Sequence, residues 1–262
     1  MSILIANSAD AAHYLKQNQN NLQKSLKRLS SGKRITGGGD DPGGLAVAMK
    51  INASIKRLAG ADNNVQNAMS YMEVQDGLLE TAGNIITRIS ELKGLHSDDP
   101  LKSTANQAAY NTELADLVAQ LDDMKTATFN GEDLFETAQT INYDEDTAAD
   151  LTLAASGFAT AVAGLDGASD FAALDVATID TALDNVAALR AQNGSGQNRL
   201  QFTAQSLSLQ RINMAAALSR IEDVDLAAET AELAKHSILT QASASMVAQA
   251  NSQNDIALML LS

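Results

Sequence analysis

The apolar positions of the first 31 residues step by threes and fours. Ile5, Ser8, Ala12, Leu15, Gln19, Leu22, Leu26 and Leu29 form an a/d seam, weak at Ser8 and Gln19. An isolated helix of this strength is marginal in water. The pattern therefore predicts a segment that orders when a partner covers the seam. Ser31-Gly32 ends it, and the stretch from Thr36 through Gly37-Gly38-Gly39-Asp40-Asp41-Pro42 to Gly43-Gly44 is the clearest break in the chain. Asp41 before Pro42 suits an N-cap followed by a first helical position.

Residues 45–95 read as one long helix. Ile51, Leu58, Val65, Met72, Leu79 and Ile86 recur every seventh residue, with Ile55 and Met69 on the accompanying row. About 50 residues at about 1.5 Å each give a rod of roughly 75 Å, softened at Gly60, Gly77 and Gly83. Ser97-Asp98-Asp99-Pro100 reads as a loop. Thr104-Ala105-Asn106-Gln107 has capping-box form and opens an antiparallel helix with Leu114, Leu117, Val118, Leu121 and Met124 on one stripe. Asn130-Gly131, between Phe129 and Glu132, favours a hairpin. Residues 132–175 lose the periodicity, and short strands with a short helix are expected there. From about residue 176 it returns through Ile179, Leu183, Val186 and Leu189. Asn193-Gly194-Ser195-Gly196 interrupts it, because two glycines in three residues cost roughly 1–2 kcal/mol of helix propensity. Leu200, Leu207, Leu209, Ile212, Leu218 and Ile221 continue the stripe. The last stretch repeats the logic of the first. Leu239, Ala242, Met246, Gln249, Gln253, Ile256 and Leu260 form an a/d row, and Val247, Ala250, Ala257 and Leu261 a second apolar face.

The predicted fold is mostly α: an elongated antiparallel helical bundle with paired terminal coiled-coil helices and a small irregular, β-hairpin insertion. Residues 1–35 form an N-terminal core helix that pairs with a C-terminal one, 225–262. Residues 36–134 and 176–224 form the outer bundle, and 135–175 are a short variable insertion. A helix with two weakly apolar faces packs on more than one side, as a subunit inside a polymer must. The expected assembly interface is Ile5, Ala12, Leu15, Leu22, Leu26 and Leu29 with Leu239, Ala242, Met246, Ile256 and Leu260.

Composition sharpens this picture. The chain of 262 residues has no Trp and only 3% aromatics, so Ala and Leu seams between long helices replace the aromatic core of a compact enzyme. Cysteine is absent, which excludes disulfides and thiolate metal sites. No run approaches the roughly 20 apolar residues of a membrane span, and the first residues lack the basic n-region of a signal peptide. Net charge is −14, unevenly spread. Residues 1–57 hold nine bases against three acids, and 122–185 one base, Lys125, against fourteen acids. Each block is a solvated face, or the basic end packs near acidic surfaces of neighbours. An acidic chain with few aromatics is a poor nucleic-acid binder.

Several motifs carry a resemblance. Leu29-Ser30-Ser31-Gly32-Lys33-Arg34-Ile35, then Asp40-Asp41-Pro42-Gly43-Gly44, Thr128-Phe129-Asn130-Gly131, Gln197-Asn198-Arg199-Leu200, and Ser219-Arg220-Ile221-Glu222-Asp223-Val224-Asp225 with Ala228-Glu229 together resemble bacterial flagellin, the flagellar filament subunit. The resemblance implies terminal helices lining a filament channel, with an outer helical bundle around them and no large outer domains. It implies a homopolymer serving swimming motility, with partners in the flagellar export apparatus, a chaperone on the last helix, and cap and hook-junction proteins. It implies secretion to the extracellular flagellum without a cleaved signal peptide, no membrane insertion and no cofactor. The segment that the innate immune receptor for flagellin recognises typically reads Gln-Arg-Val-Arg-Glu-Leu. Arg88, Glu91 and Leu92 match it, whereas Thr87 and Ser90 depart and Gly94 follows. That implies weak recognition, or a role for Arg88 and Glu91 in subunit contacts.

Other chemistry is set aside. Gly37-Gly38-Gly39 lacks the Gly-Lys-Ser/Thr of a phosphate loop. His13, His96 and His236 lie on separate segments, each read as a surface or interface histidine. Asp144-Glu145-Asp146 with Asp150 lacks the EF-hand glycine. Nothing pairs a nucleophile with a base, so no enzyme is expected. Ser156, Thr160 and Ser169 are candidate positions for O-linked sugars. The rival readings are a hook–filament junction protein of the same design and an unrelated coiled-coil adaptor forming a small closed oligomer.

Overall fold

The structure, a computed structural model, describes residues 2–98, 103–143 and 150–259, and the side chains of 9–97, 103–143 and 151–253. Pro100, the acidic run 144–146 and Leu260 lie outside the described residues, as do the side chains of Ile5 and Ile256. Six α-helices are described: α1 (Ser2–Ser31), α2 (Pro42–Asp98), α3 (Thr104–Lys125), α4 (Phe158–Val162), α5 (Val176–Glu222) and α6 (Leu226–Met259). Two antiparallel hairpins accompany them. β1 (Thr128–Phe129) pairs with β2 (Glu132–Asp133), and β3 (Gln139–Asn142) pairs with β4 (Asp150–Leu153). The chain divides into two compact units, residues 1–55 with 213–262, and residues 56–212.

In the unit of residues 56–212, Leu58, Val65, Met72, Leu79 and Ile86 of α2 are buried. Their companion row is Ala61, Ala68, Gln75, Ala82 and Ile89, all buried, whereas Met69 is only half-buried. The accompanying row therefore lies one residue before the one that apolarity suggested. Three of its five members are alanines, too small for apolar bulk to mark the row. Leu114, Val118, Leu121 and Met124 give α3 its buried stripe. The N-cap of α3 is Ser103 rather than Thr104: its Oγ accepts the Asn106 N–H at 3.2 Å.

Helix α5 runs unbroken through Asn193-Gly194-Ser195-Gly196, against the expected interruption. Packing outweighs propensity there. A Cβ at Gly196 would collide with the Met72 Cε and lie 3.1 Å from its Sδ, so the glycine admits the Met72 side chain. Asn193 is 4% exposed. Its Nδ2 donates to Met72 O at 3.2 Å and to Gln75 Oε1 at 2.7 Å, and its Oδ1 accepts from Gln197 Nε2 at 2.8 Å. Gln75 Nε2 in turn donates to Leu134 O at 2.6 Å. A buried amide network satisfied in this way specifies one alignment of its helices. Outside it, Arg190 bonds Asp76 through two nitrogens at 3.2 and 3.3 Å and reaches Glu80 at 3.1 Å.

The middle of the chain is irregular in backbone but anchored by aromatics. Phe135, Phe158 and Phe171 are fully buried, and the first two stack with centroids 4.8 Å apart. Lys93 Nζ donates to Phe171 O at 2.6 Å, and Asn111 Oδ1 accepts the Phe171 N–H. His96 packs on Phe171 at 5.6 Å and is buried, so it is a core residue rather than a surface one. Ser156 Oγ is buried as well, which removes it from the candidate sugar positions, whereas Thr160 and Ser169 are exposed.

Two neighbouring substitutions separate propensity from packing. A Cβ at Gly194 meets open space, so Gly194→Ala should stabilise the chain by up to about 1 kcal/mol. Asn193→Ala leaves buried partners unsatisfied and should cost about 1–3 kcal/mol. Urea unfolding of the monomer, followed by circular dichroism, reads both.

Candidate assembly interface

The unit of residues 1–55 and 213–262 is built on α1 and α6, which pack antiparallel. Asn18 Nδ2 donates to Ser243 Oγ at 2.8 Å and to Leu239 O at 3.4 Å. Farther along, Arg28 Nη1 lies 3.7 Å from Glu229 Oε2. On α1 the covered positions include Ala11, Leu15, Asn18, Leu22, Ser25 and Leu29, with Ser25 at 4% exposure. On α6 they include Leu233, His236, Thr240, Ser243, Val247 and Ala250. Both sets step by threes and fours.

This seam differs from the sequence pattern in an instructive way. Leu15, Leu22 and Leu29 lie in it. Ala12 and Leu26 do not: both are exposed, one position away from Ala11 and Ser25. On α6 the row of Leu239, Ala242, Met246, Gln249 and Gln253 is exposed, and the face holding Val247 and Ala250 meets α1. Apolarity alone picks the wrong row because half of these partner-facing positions are Ala, Asn, Ser and Thr. Those small side chains allow close approach, and Asn18 supplies a register-specifying hydrogen bond.

The displaced row lines a groove of about 610 Å³, bounded by Asp10, Tyr14 and Asn18 on one wall and by Leu239, Met246 and Gln253 on the other. Tyr14 is 61% exposed and Met246 65%. Leu26 on α1 and Ile238 on α6 are also largely exposed apolar side chains of this pair.

A second feature joins the helix ends. Gly32, at φ +70°, ends α1 in the left-handed conformation that favours glycine. The chain then runs antiparallel to the α5–α6 connection. Val224 N donates to Gly32 O at 3.0 Å and Arg34 N to Glu222 O at 2.6 Å. The Arg34 guanidinium donates to Ile221 O at 2.8 and 3.3 Å, and Lys33 Nζ pairs with Glu222 Oε1 at 2.6 Å. The last carbonyls of α5, which no helical N–H can reach, thus receive donors and positive charge. Asp225 caps α6, its Oδ1 accepting the N–H groups of Ala227 and Ala228. The stretches 29–35 and 219–225, noted separately as motifs, are two halves of one latch. Their opposite charges, Lys33-Arg34 against Glu222-Asp223, are the signal that could have paired them.

Beyond the latch, the Thr36 hydroxyl and backbone N–H donate to Asp40 Oδ2 at 2.9 and 3.1 Å. The hydroxyl bond first, then the N–H, holds that carboxyl below its usual range. Asp41 Oδ1 accepts the Gly44 N–H at 2.8 Å and caps α2.

In the other unit, Arg88 is exposed and bonds Glu113 at 2.9 Å and Glu91 at 3.1 Å. The Glu113 bond first, then that to Glu91, raises the guanidinium pKa further. Leu92 is fully buried, so its side chain is not part of the surface that Arg88 and Glu91 present. Among the described residues no cluster of three or more His, Asp or Glu could hold a metal ion. No described helix is long and apolar enough to cross a membrane.

Comparison with known proteins places the chain. Residues 4–140 match the bacterial flagellin N-terminal helical region and 176–261 the bacterial flagellin C-terminal helical region. It is 37% identical to a flagellin of Halalkalibacterium halodurans, with 93% of each chain covered. It is 34% identical to a flagellar filament core protein of Treponema maltophilum, with 94% of each covered. The crystal structure of Bacillus cereus flagellin aligns with TM-score 0.50 and 25% identity, over 60% of this chain and 94% of that one. Fold and likeness define a helical structural protein, not an enzyme. The chain belongs to the bacterial flagellin family, and it is a structural subunit that polymerises into the flagellar filament.

Two measurements test the local chemistry. Arg34→Met should raise amide hydrogen exchange at Val224 severalfold, because the strand-like contact loses its guanidinium clamp. The Asp40 carboxyl should titrate below the ordinary value of about 3.9. Its contribution to loop order is present above that value and is lost as pH falls through the depressed one. The Thr36 amide signal in NMR should follow this titration, and Thr36→Val should move it upward.

Proposed function

We propose that the outer faces of α1 and α6 are the surfaces through which copies of this chain pack in the filament. The observation that carries this reading is the exposed row of Leu239 and Met246 beside Tyr14, on the side of the helix pair that the intramolecular seam leaves open. Ala242 lines the same groove, Ala12 and Leu26 present the opposite flank of α1 to a second neighbour, and we assign Ile5, Ile256 and Leu260 to assembly contacts as well. Leu15, Leu22 and Leu29 hold the pair together beneath it. Burial at about 25 cal/mol per Å² drives the association, and a heterologous contact repeats without closing, which makes an open helical polymer. Arg88 and Glu91 serve neighbouring-subunit contacts.

The seam within one chain is half polar, so the terminal helices gain most of their order from neighbours. A chain of this design suits passage through the flagellar export apparatus in an unfolded state. A chaperone covering the exposed row of α6 would hold it soluble until then. Cap and hook-junction proteins would meet the same surfaces at the ends of the polymer, outside the cell.

Seeded polymerisation viewed by electron microscopy tests the proposal. The intact chain should elongate seeds. A version lacking residues 1–30 and 240–262 should stay a soluble helical monomer. Met246→Asp should block elongation while shifting monomer stability by no more than about 0.5 kcal/mol. Full elongation by Met246→Asp would sink the assignment of this face.

A further inference from the structure

The chain contains two Asn-Gly dipeptides, Asn130-Gly131 and Asn193-Gly194. The structure treats them in opposite ways. Asn130 and Gly131 form the exposed two-residue tip of the β1–β2 hairpin, with φ of 53° and 88°, the signs of a type I′ turn. The Asn130 side chain holds no hydrogen bond among the described residues. Two residue pairs, Phe129 with Glu132 and Thr128 with Asp133, and the Leu134 N–H donated to Ala127 O at 3.1 Å close the hairpin, and a ladder this short opens locally at less free-energy cost than the interior of a long helix. Asn193 sits in the interior of α5, its amide bonded to Met72, Gln75 and Gln197. The next backbone nitrogen, that of Gly194, belongs to the helical ladder and points away from the Asn193 side chain.

From this contrast we infer that Asn130 is a site of spontaneous covalent modification, with water as the only co-reactant, and that Asn193 is protected from the same reaction. The Gly131 backbone nitrogen attacks Asn130 Cγ. An N–Cγ bond forms, the Cγ–Nδ2 bond breaks, and ammonia leaves with the proton from the Gly131 nitrogen. Glycine favours this step because it puts no side chain beside the attacking nitrogen and adopts the required backbone angles freely. Water then opens the five-membered imide at either carbonyl, giving an aspartyl or an isoaspartyl linkage at position 130. No electrons are transferred to or from the chain.

Both products change the hairpin. Each adds a negative charge beside Glu132 and Asp133, and the turn sequence Phe129-Asn130-Gly131-Glu132-Asp133 holds no compensating cation. The isoaspartyl form also lengthens the backbone by one carbon inside a two-residue turn, which cannot keep its register. The contact at stake is the edge-on packing of Phe129 against Tyr71, centroids 6.4 Å apart. The Tyr71 hydroxyl bond to Asp133 O at 2.7 Å shares the same hairpin.

The test is to hold the full-length monomer in mildly alkaline buffer, folded and in concentrated urea, and to follow positions 130 and 193 by fragment-ion mass spectrometry. Labelling by a protein isoaspartyl methyltransferase identifies the isoaspartyl product. In the folded chain position 130 should convert at least about tenfold faster than position 193, as expected when one site opens locally and the other only with its helix. Urea should bring the two rates together. Asn130→Gln should remove the methyl label from this segment. The inference is overturned if position 193 keeps pace in the folded chain. It is equally overturned if position 130 stays intact when folded yet converts in urea, since the turn would then protect its own amide.

Discussion

The donation of Arg34 and Val224 across the gap between residues 32–34 and 222–224 ties together two stretches almost 190 positions apart in the chain. Closing so long a loop carries an entropic cost that grows only slowly with its length, but something must meet it. Three kinds of interaction do so at one place: backbone pairing, a guanidinium on the exposed carbonyl end of α5, and the Lys33–Glu222 pair. Once they form, α1 and α6 leave the junction side by side and antiparallel. Their register follows, down to Asn18 opposite Ser243. The polar seam could not choose that register alone, because Ala, Ser and Thr fit many alignments nearly equally.

That seam has a thermodynamic character of its own. Between the Leu positions lie Asn18 and Ser25 on one helix and His236, Thr240 and Ser243 on the other. Each polar residue in such a row lowers stability while narrowing the set of acceptable partners. The result is a pair that is specific before it is strong. In the unit of residues 56–212 the balance is reversed: Phe135, Phe158, Phe171 and the Leu and Ile rows of α2 and α3 form a contiguous apolar core. One chain thus holds a part that stands on its own burial and a part suited to being completed by others.

The helices themselves were legible in the sequence, because every seventh position from Leu58 to Ile86 is apolar and no proline interrupts. The Asn130-Gly131 turn and the Asp41 cap were legible for similarly local reasons. What the pattern concealed was the second row of each helix. Ala61, Ala68 and Ser25 are buried and Ser243 half-buried, all of them small, and a reading that scores apolarity looks past them to Met69, Leu26 and Met246. The continuity of α5 was hidden by two glycines, of which Gly196 has its explanation in the Met72 side chain, more than 120 residues away, and Gly194 faces open space. Leu92 was read with its exposed neighbours Arg88 and Glu91, although it sits at the edge of the stripe that is buried with Ile85 and Ile89.

The Asn193 amide has a mechanical meaning as well as an energetic one. It grips the backbone of α2 at Met72 O and a side chain one turn on, at Gln75. Apolar helices slide past each other by a turn with modest loss, since one leucine replaces another in the same hole. An amide pinned to a particular carbonyl has no such substitute. Within this part of the molecule, α2 and α5 therefore behave as a single beam that resists axial shear. Sliding α2 along α5 by a turn has to break these bonds first, so shear at this point meets a fixed obstacle rather than a set of equivalent holes.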